Sequence, residues 1–95
     1  MRRRKQIMHK TVVCDKYIGE GYLVKYFLLE DGNFFGVLIE LFDSEGNLQT
    51  KHLAEKITRS KSVALNLIRL LAEKDVTPIS FPYVFDELFE IAKNQ

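Results

Sequence analysis

Cys14 is the sole cysteine of the chain, and His9 and His52 are its two histidines. A thiol beside an imidazole is the pairing of a nucleophile with its base. Sequence separation does not bring these residues together. Cys14 closes the β-branched run Thr11-Val12-Val13-Cys14, and its simpler reading is a small, half-buried hydrophobe. His9, His52 and Glu55 are also metal-ligand types. The chain has none of the Cys-x-x-Cys, His-x-x-x-His or His-Glu-x-x-His spacings that would place ligands on one side of a helix or turn. Asp86, Glu87 and Glu90 lie about one helical turn apart. Paired carboxylates do acid–base work when burial drives their pKa values apart, but on an amphipathic helix they form the solvated side. Gly19-Glu20-Gly21 precedes a strand, whereas a phosphate cradle needs a helix N-terminus. The residues thus give no catalytic, metal or cofactor site, and the chain reads as non-enzymatic.

One charged motif remains. Arg2, Arg3, Arg4 and Lys5 carry four positive charges at the start of a chain whose net charge is +1. Removing those four leaves ten Lys and Arg against 13 Asp and Glu, so the body is acidic. A basic run of this kind could neutralise phosphates, with Tyr22, Tyr26 and Phe34 available to stack bases. The element order opposes an RNA-recognition sheet, which needs helices between its strands. A solubilising tail is the simpler reading, and nucleic-acid binding through Arg2, Arg3, Arg4 and Lys5 is the alternative function.

The elements that must position these residues follow from patterning. Residues 1–6 read as a flexible basic tail and 7–95 as one α+β domain, as 95 residues allow. A strand from Thr11 to about Lys16 ends at the glycine turn. Gly21–Glu30 and Phe34–Asp43 are rich in aromatic and β-branched residues and flank the turn Asp31-Gly32-Asn33. After Ser44-Glu45-Gly46-Asn47 a fourth strand is expected from Leu48 to about Leu53. Short loops make the set an antiparallel meander of three to four strands. Val63, Ala64, Leu67, Ile68 and Leu71 then recur at helical spacing, with Ser60 or Ser62 as N-cap and Lys74 in the last turn. Thr77-Pro78 ends that helix. A second helix runs from about Pro82 to Ala92, capped by Ser80 or Phe81, with Val84, Phe85 and Leu88 inward. The predicted architecture is ββββαα, with both helices on one sheet face.

The central hairpin carries apolar residues on both faces. Tyr22, Val24, Tyr26 and Leu28 alternate with Leu23, Phe27 and Leu29, and Phe35, Val37, Ile39 and Leu41 alternate with Phe34, Leu38 and Phe42. A sheet covered on one side normally alternates apolar with polar. Two short helices cannot cover both sides, so a homodimer or another protein is expected on the second. Tyr22, Val24, Tyr26, Phe34, Leu38 and Phe42 are the expected interface set. With no apolar stretch near 20 residues, a cytoplasmic protein without membrane or cofactor is expected.

Leu67-Ile68-Arg69-Leu70-Leu71, Val76-Thr77-Pro78-Ile79, Val84-Phe85-Asp86-Glu87-Leu88-Phe89 and the Phe35-Gly36 start of the third strand resemble a family of short Firmicutes proteins, mainly clostridial, that form a domain of unknown function. The resemblance spans about residues 11–92 and excludes the Arg-rich start. It implies a cytoplasmic bacterial protein with a strand hairpin followed by two helices joined by a Pro-containing turn, and it brings no active site.

Overall fold

The computed structural model describes residues 8–95. Four strands come first: β1 His9–Ile18, β2 Tyr22–Asp31, β3 Phe34–Phe42 and β4 Leu48–Thr58. Two helices follow, α1 Lys61–Glu73 and α2 Phe81–Lys93. The strands make one antiparallel sheet in the order β1-β2-β3-β4, giving the expected ββββαα arrangement. The basic run at residues 2–5, and with it the expected tail, lies outside the described residues.

Turn chemistry sets the register. Gly32 adopts φ 65 in a two-residue loop, the conformation that glycine reaches at least cost. Asp31 therefore pairs with Phe34, and Tyr26 with Ile39. At the next turn, Asp43 accepts hydrogen bonds from the Asn47 and Glu45 amides, each at 2.9 Å, in an Asx-type loop. The Asn47 amide, with that of Glu45 behind it, holds this carboxyl below the usual aspartate range.

β1 starts two residues before Thr11, and β4 runs five residues past Leu53. Both are edge strands whose outer parts alternate with charged residues, so apolar content understates their length. Lys74 is the C-cap of α1, one place beyond the last turn, because its amide still bonds the Leu70 carbonyl at 3.1 Å. Ser60 caps the other end, its hydroxyl accepting from the Val63 amide at 3.2 Å. Ser80 flanks α2 without a side-chain cap, because its hydroxyl accepts instead from the Thr77 amide at 3.0 Å.

The core lies between the sheet and α1. Val24, Tyr26, Val37 and Ile39 from the sheet meet Ala64, Leu67, Ile68 and Leu71 of the helix, all essentially excluded from solvent. Each such large side chain contributes about 1.5–3 kcal/mol. Phe81, Leu88 and Ala92 bring α2 onto the same cluster, and the Asn66 amide donates to the Ala92 carbonyl at 3.2 Å to tie the helices together. Two polar contacts fix the end of α1 over β1 and β2. The Tyr26 hydroxyl donates to the Val76 carbonyl at 2.7 Å. Lys16 Nζ donates to the Ala72 carbonyl at 2.7 Å and pairs with Asp75 at 2.8 Å. Burial pushes the Tyr26 phenol well above its ordinary pKa, with Cys14 and Asp75 adding to the effect, so this hydroxyl stays a donor.

Gly36 has a steric role. The ladder between β3 and β4 shifts register between Phe35 and Val37. Within that bulge Lys56 takes φ 50. A Cβ on Gly36 would overlap the Ala54 carbonyl and lie 3.0 Å from Glu55 Cα. The bulged backbone of β4 therefore passes over the face away from the helices, where only a glycine leaves room.

Two stability changes are expected. Tyr26→Phe leaves the Val76 carbonyl without its donor and should cost about 1–3 kcal/mol in a denaturant titration. Gly36→Ala should cost at least about 1–3 kcal/mol through overpacking at the bulge, whereas Gly46→Asn, at a turn with open space around it, should cost less.

Candidate functional site

The residues that could have formed a thiol–imidazole pair stand apart. Cys14 is on β1 and His52 on β4, at opposite edges of the sheet. Three strand spacings separate them, roughly 14 Å. His9 lies five positions along β1 from Cys14, roughly 16 Å in extended chain. His52 packs its ring 4.8 Å from Phe81 and opens an aromatic series that continues through Phe85 to Phe89. Partial burial raises the Cys14 pKa, Asp15 raises it further and Lys16 opposes them. A thiol so placed is a poor nucleophile at neutral pH. Among the described residues no three of His, Cys, Asp and Glu cluster as metal ligands. Asp86, Glu87 and Glu90 are exposed on α2, and Glu90 pairs with Lys93 at 2.8 Å.

The six residues expected to share an uncovered face are divided between the two faces. Val24 and Tyr26 are fully buried beneath the helices. Tyr22 is on the same side but beyond the helical layer, 44% exposed. Phe34, Leu38 and Phe42 are on the opposite side, paired with Asp31, Phe27 and Leu23. The three aromatics considered for base stacking are divided likewise: Tyr26 is sequestered, and the Phe34 ring carries the Arg59 guanidinium at 4.9 Å. The cause is the length of the β2–β3 loop. A loop of Asp31-Gly32-Asn33 would pair Tyr26 with Leu38; the two-residue loop pairs it with Ile39 and moves the partner set to the other face.

The face away from the helices has its own order. Phe27, Leu29 and Leu38 form a second buried cluster that contains no helix residue. Cross-strand pairing extends it into a row spanning all four strands: Val12, Phe27, Leu38 and Leu53. Its middle is sheltered, with the Lys10 ammonium 5.0 Å from the Phe27 ring centre, and its ends are open, Val12 48% and Leu53 47% exposed. A second apolar row is Tyr17, Leu23, Phe42 and Leu48. Between them runs a charged row, Asp15, Lys25, Glu40 and Lys51, which alternates in sign across the sheet. Asp15 and Lys25 approach to 3.8 Å. Sequence periodicity points to excess apolar content here, but only the register reveals the rows. Val12, Leu53, Tyr17 and Leu48, all on edge strands, were not among the expected interface residues.

An open groove of about 460 Å³ lies between β1 and α1, with Cys14, Leu65 and Ile68 among its walls. Of the charged residues that line it, Lys16 is already engaged by Ala72 and Asp75 and Arg69 donates to the Asn66 side chain at 3.2 Å, which leaves Glu73 as the remaining charged group to orient a ligand.

Reaction of Cys14 with a thiol reporter should be slow at neutral pH, and its rate should rise with a midpoint above the usual value of about 8.5; a midpoint below that value would mark an activated thiol.

Neither the curated proteins nor the solved structures contain a significant match to the chain. The model of a family of unknown function, DUF6514, matches residues 5–90. This span takes in all four strands, α1 and most of α2, and it begins before the segment in which the resemblance was legible. The chain therefore belongs to the DUF6514 family of unknown function.

Proposed function

We propose that this chain is a small non-enzymatic interaction or regulatory module that acts as a homodimer through the sheet face its helices leave open. The observation that carries this reading is the pair of apolar rows on that face. Val12, Leu53, Tyr17 and Leu48 are 48%, 47%, 74% and 47% exposed. Exposed apolar residues are ordinary when scattered; these are aligned by strand pairing, Val12 and Leu53 through Phe27 and Leu38, and Tyr17 and Leu48 through Leu23 and Phe42. Half-exposed side chains of this size gain about 1 kcal/mol each on full burial. A symmetric dimer doubles the set, giving a driving force of the same order as the association cost of roughly 4–15 kcal/mol.

The face is also large enough. Four strands about 4.8 Å apart and about ten residues long cover roughly 600 Å² in projection, near the approximately 800 Å² per partner typical of a stable interface.

Light scattering at tens of micromolar protein should give twice the 11.1 kDa mass of one chain. Leu53→Lys should return the mass to one chain while changing stability by less than about 0.5 kcal/mol, as befits an exposed site. A wild-type mass of one chain at that concentration would contradict the proposal.

A further inference from the structure

The charged row fixes how two copies must sit, if the self-association proposed above holds. Read from β1 to β4, the row is Asp15, Lys25, Glu40, Lys51, or minus, plus, minus, plus. Reversing that order inverts every sign. A face-to-face dimer has two simple choices of two-fold axis in the plane between the sheets. An axis across the strands through this row sets each residue against its own copy, so that Asp15 meets Asp15 and Lys25 meets Lys25. An axis parallel to the strands reverses the row. Asp15 then meets Lys51 of the other copy, and Lys25 meets Glu40.

The apolar rows obey the same operation. Rotation about a strand-parallel axis keeps each residue at its height along the strands. Val12 lands over Leu53 and Phe27 over Leu38; Tyr17 lands over Leu48 and Leu23 over Phe42. Like rows meet like rows, and no charge is set on an apolar partner. Isologous contacts of this kind are what a closed two-fold requires.

We propose that the second occupant of this face is another copy of the chain, related by a two-fold axis running parallel to the strands between β2 and β3, with Lys25 and Glu40 pairing reciprocally across it. The apolar rows supply affinity and the charged row supplies register, because like-charge contact penalises the alternative. Packed sheets cross at about 30°. That angle carries Asp15 and Lys51, at the edges, away from alignment, while Lys25 and Glu40 beside the axis stay aligned. Lys25 keeps about a third of its side chain exposed, at 34%, so it can turn from Asp15 toward a partner.

The test uses two single variants and their mixture. Lys25→Glu sets two carboxylates together on each side of the axis, and Glu40→Lys sets two ammonium groups together. Each variant alone should dimerise roughly tenfold or more weakly than wild type. Mixed in equal amounts they restore opposite charges at both contacts. The carboxylate introduced at position 25 of one chain faces the ammonium introduced at position 40 of the other, and the native Glu40 of the first faces the native Lys25 of the second. Light scattering should then recover the dimer. Circular dichroism and melting of each variant check that it is folded. If a reversal unfolds the chain, Lys25→Gln and Glu40→Gln apply the same mixing logic with a smaller effect, again predicting a mixture tighter than either variant alone.

A wild-type protein that is dimeric, with variants that dimerise equally well or a mixture no tighter than its components, would overturn this geometry while leaving self-association standing. A monomeric wild type would overturn both.

Discussion

One layer of two short helices meets a sheet that is apolar on both sides, and that mismatch governs the rest of the molecule. The α1 contact removes Val24, Tyr26, Val37 and Ile39 from water and forms the core. It is oriented by polar contacts at one end of the helix, where the Tyr26 hydroxyl and Lys16 hold the Val76 and Ala72 carbonyls. The Tyr26 hydroxyl satisfies the Val76 carbonyl just beyond the helix C-terminus, and Lys16 adds a second donor to an Ala72 carbonyl that already accepts from the Asp75 amide at 3.2 Å. Their position fixes which face of the sheet the helices take. The other face must then find its own answer to exposed apolar surface.

Part of that answer is internal. Gly36 lets the β4 bulge cross the sheet beside Leu29. Lys10 lies over Phe27 and Arg59 over Phe34, covering rings with aliphatic stems and cationic heads. Phe27, Leu29 and Leu38 end up nearly closed to solvent without any helix above them. What stays open lies on the edge strands and in the row that includes Tyr17, Leu23, Phe42 and Leu48. The proposed homodimer is a response to that remainder, smaller than the whole apolar content of the face.

The architecture was legible because its signals are local. Glycine and asparagine at the turns, β-branched and aromatic runs between them, and the 3.6-residue stripe from Val63 to Leu71 each specify one element. The faces were not legible, because they depend on whether Asp31 belongs to the loop or to the strand. That single residue changes the parity of every β2–β3 pair and so parts Val24 and Tyr26, on the helix side, from Phe34, Leu38 and Phe42, on the open side. The β4 bulge was hidden for a related reason: Gly36 reads as a strand glycine, and only the backbone of Ala54 and Glu55 passing over it explains the choice. The charged row could not have been found from composition at all. Asp15, Lys25, Glu40 and Lys51 are 36 positions apart from end to end and become neighbours only through three registers.

If a second copy of the chain closes the open face, the two copies must touch through the apolar rows. Isotope-filtered NOE spectroscopy on a mixture of carbon-13-labelled and unlabelled protein reads this directly, since it reports only contacts between copies. Intermolecular signals are predicted between the Val12 and Leu53 methyl groups and between Leu23 and Phe42, the partly exposed pair beside the axis. Their absence in a sample at dimer-forming concentration, or intermolecular signals confined to α1 and α2, would contradict closure of that face by a second chain.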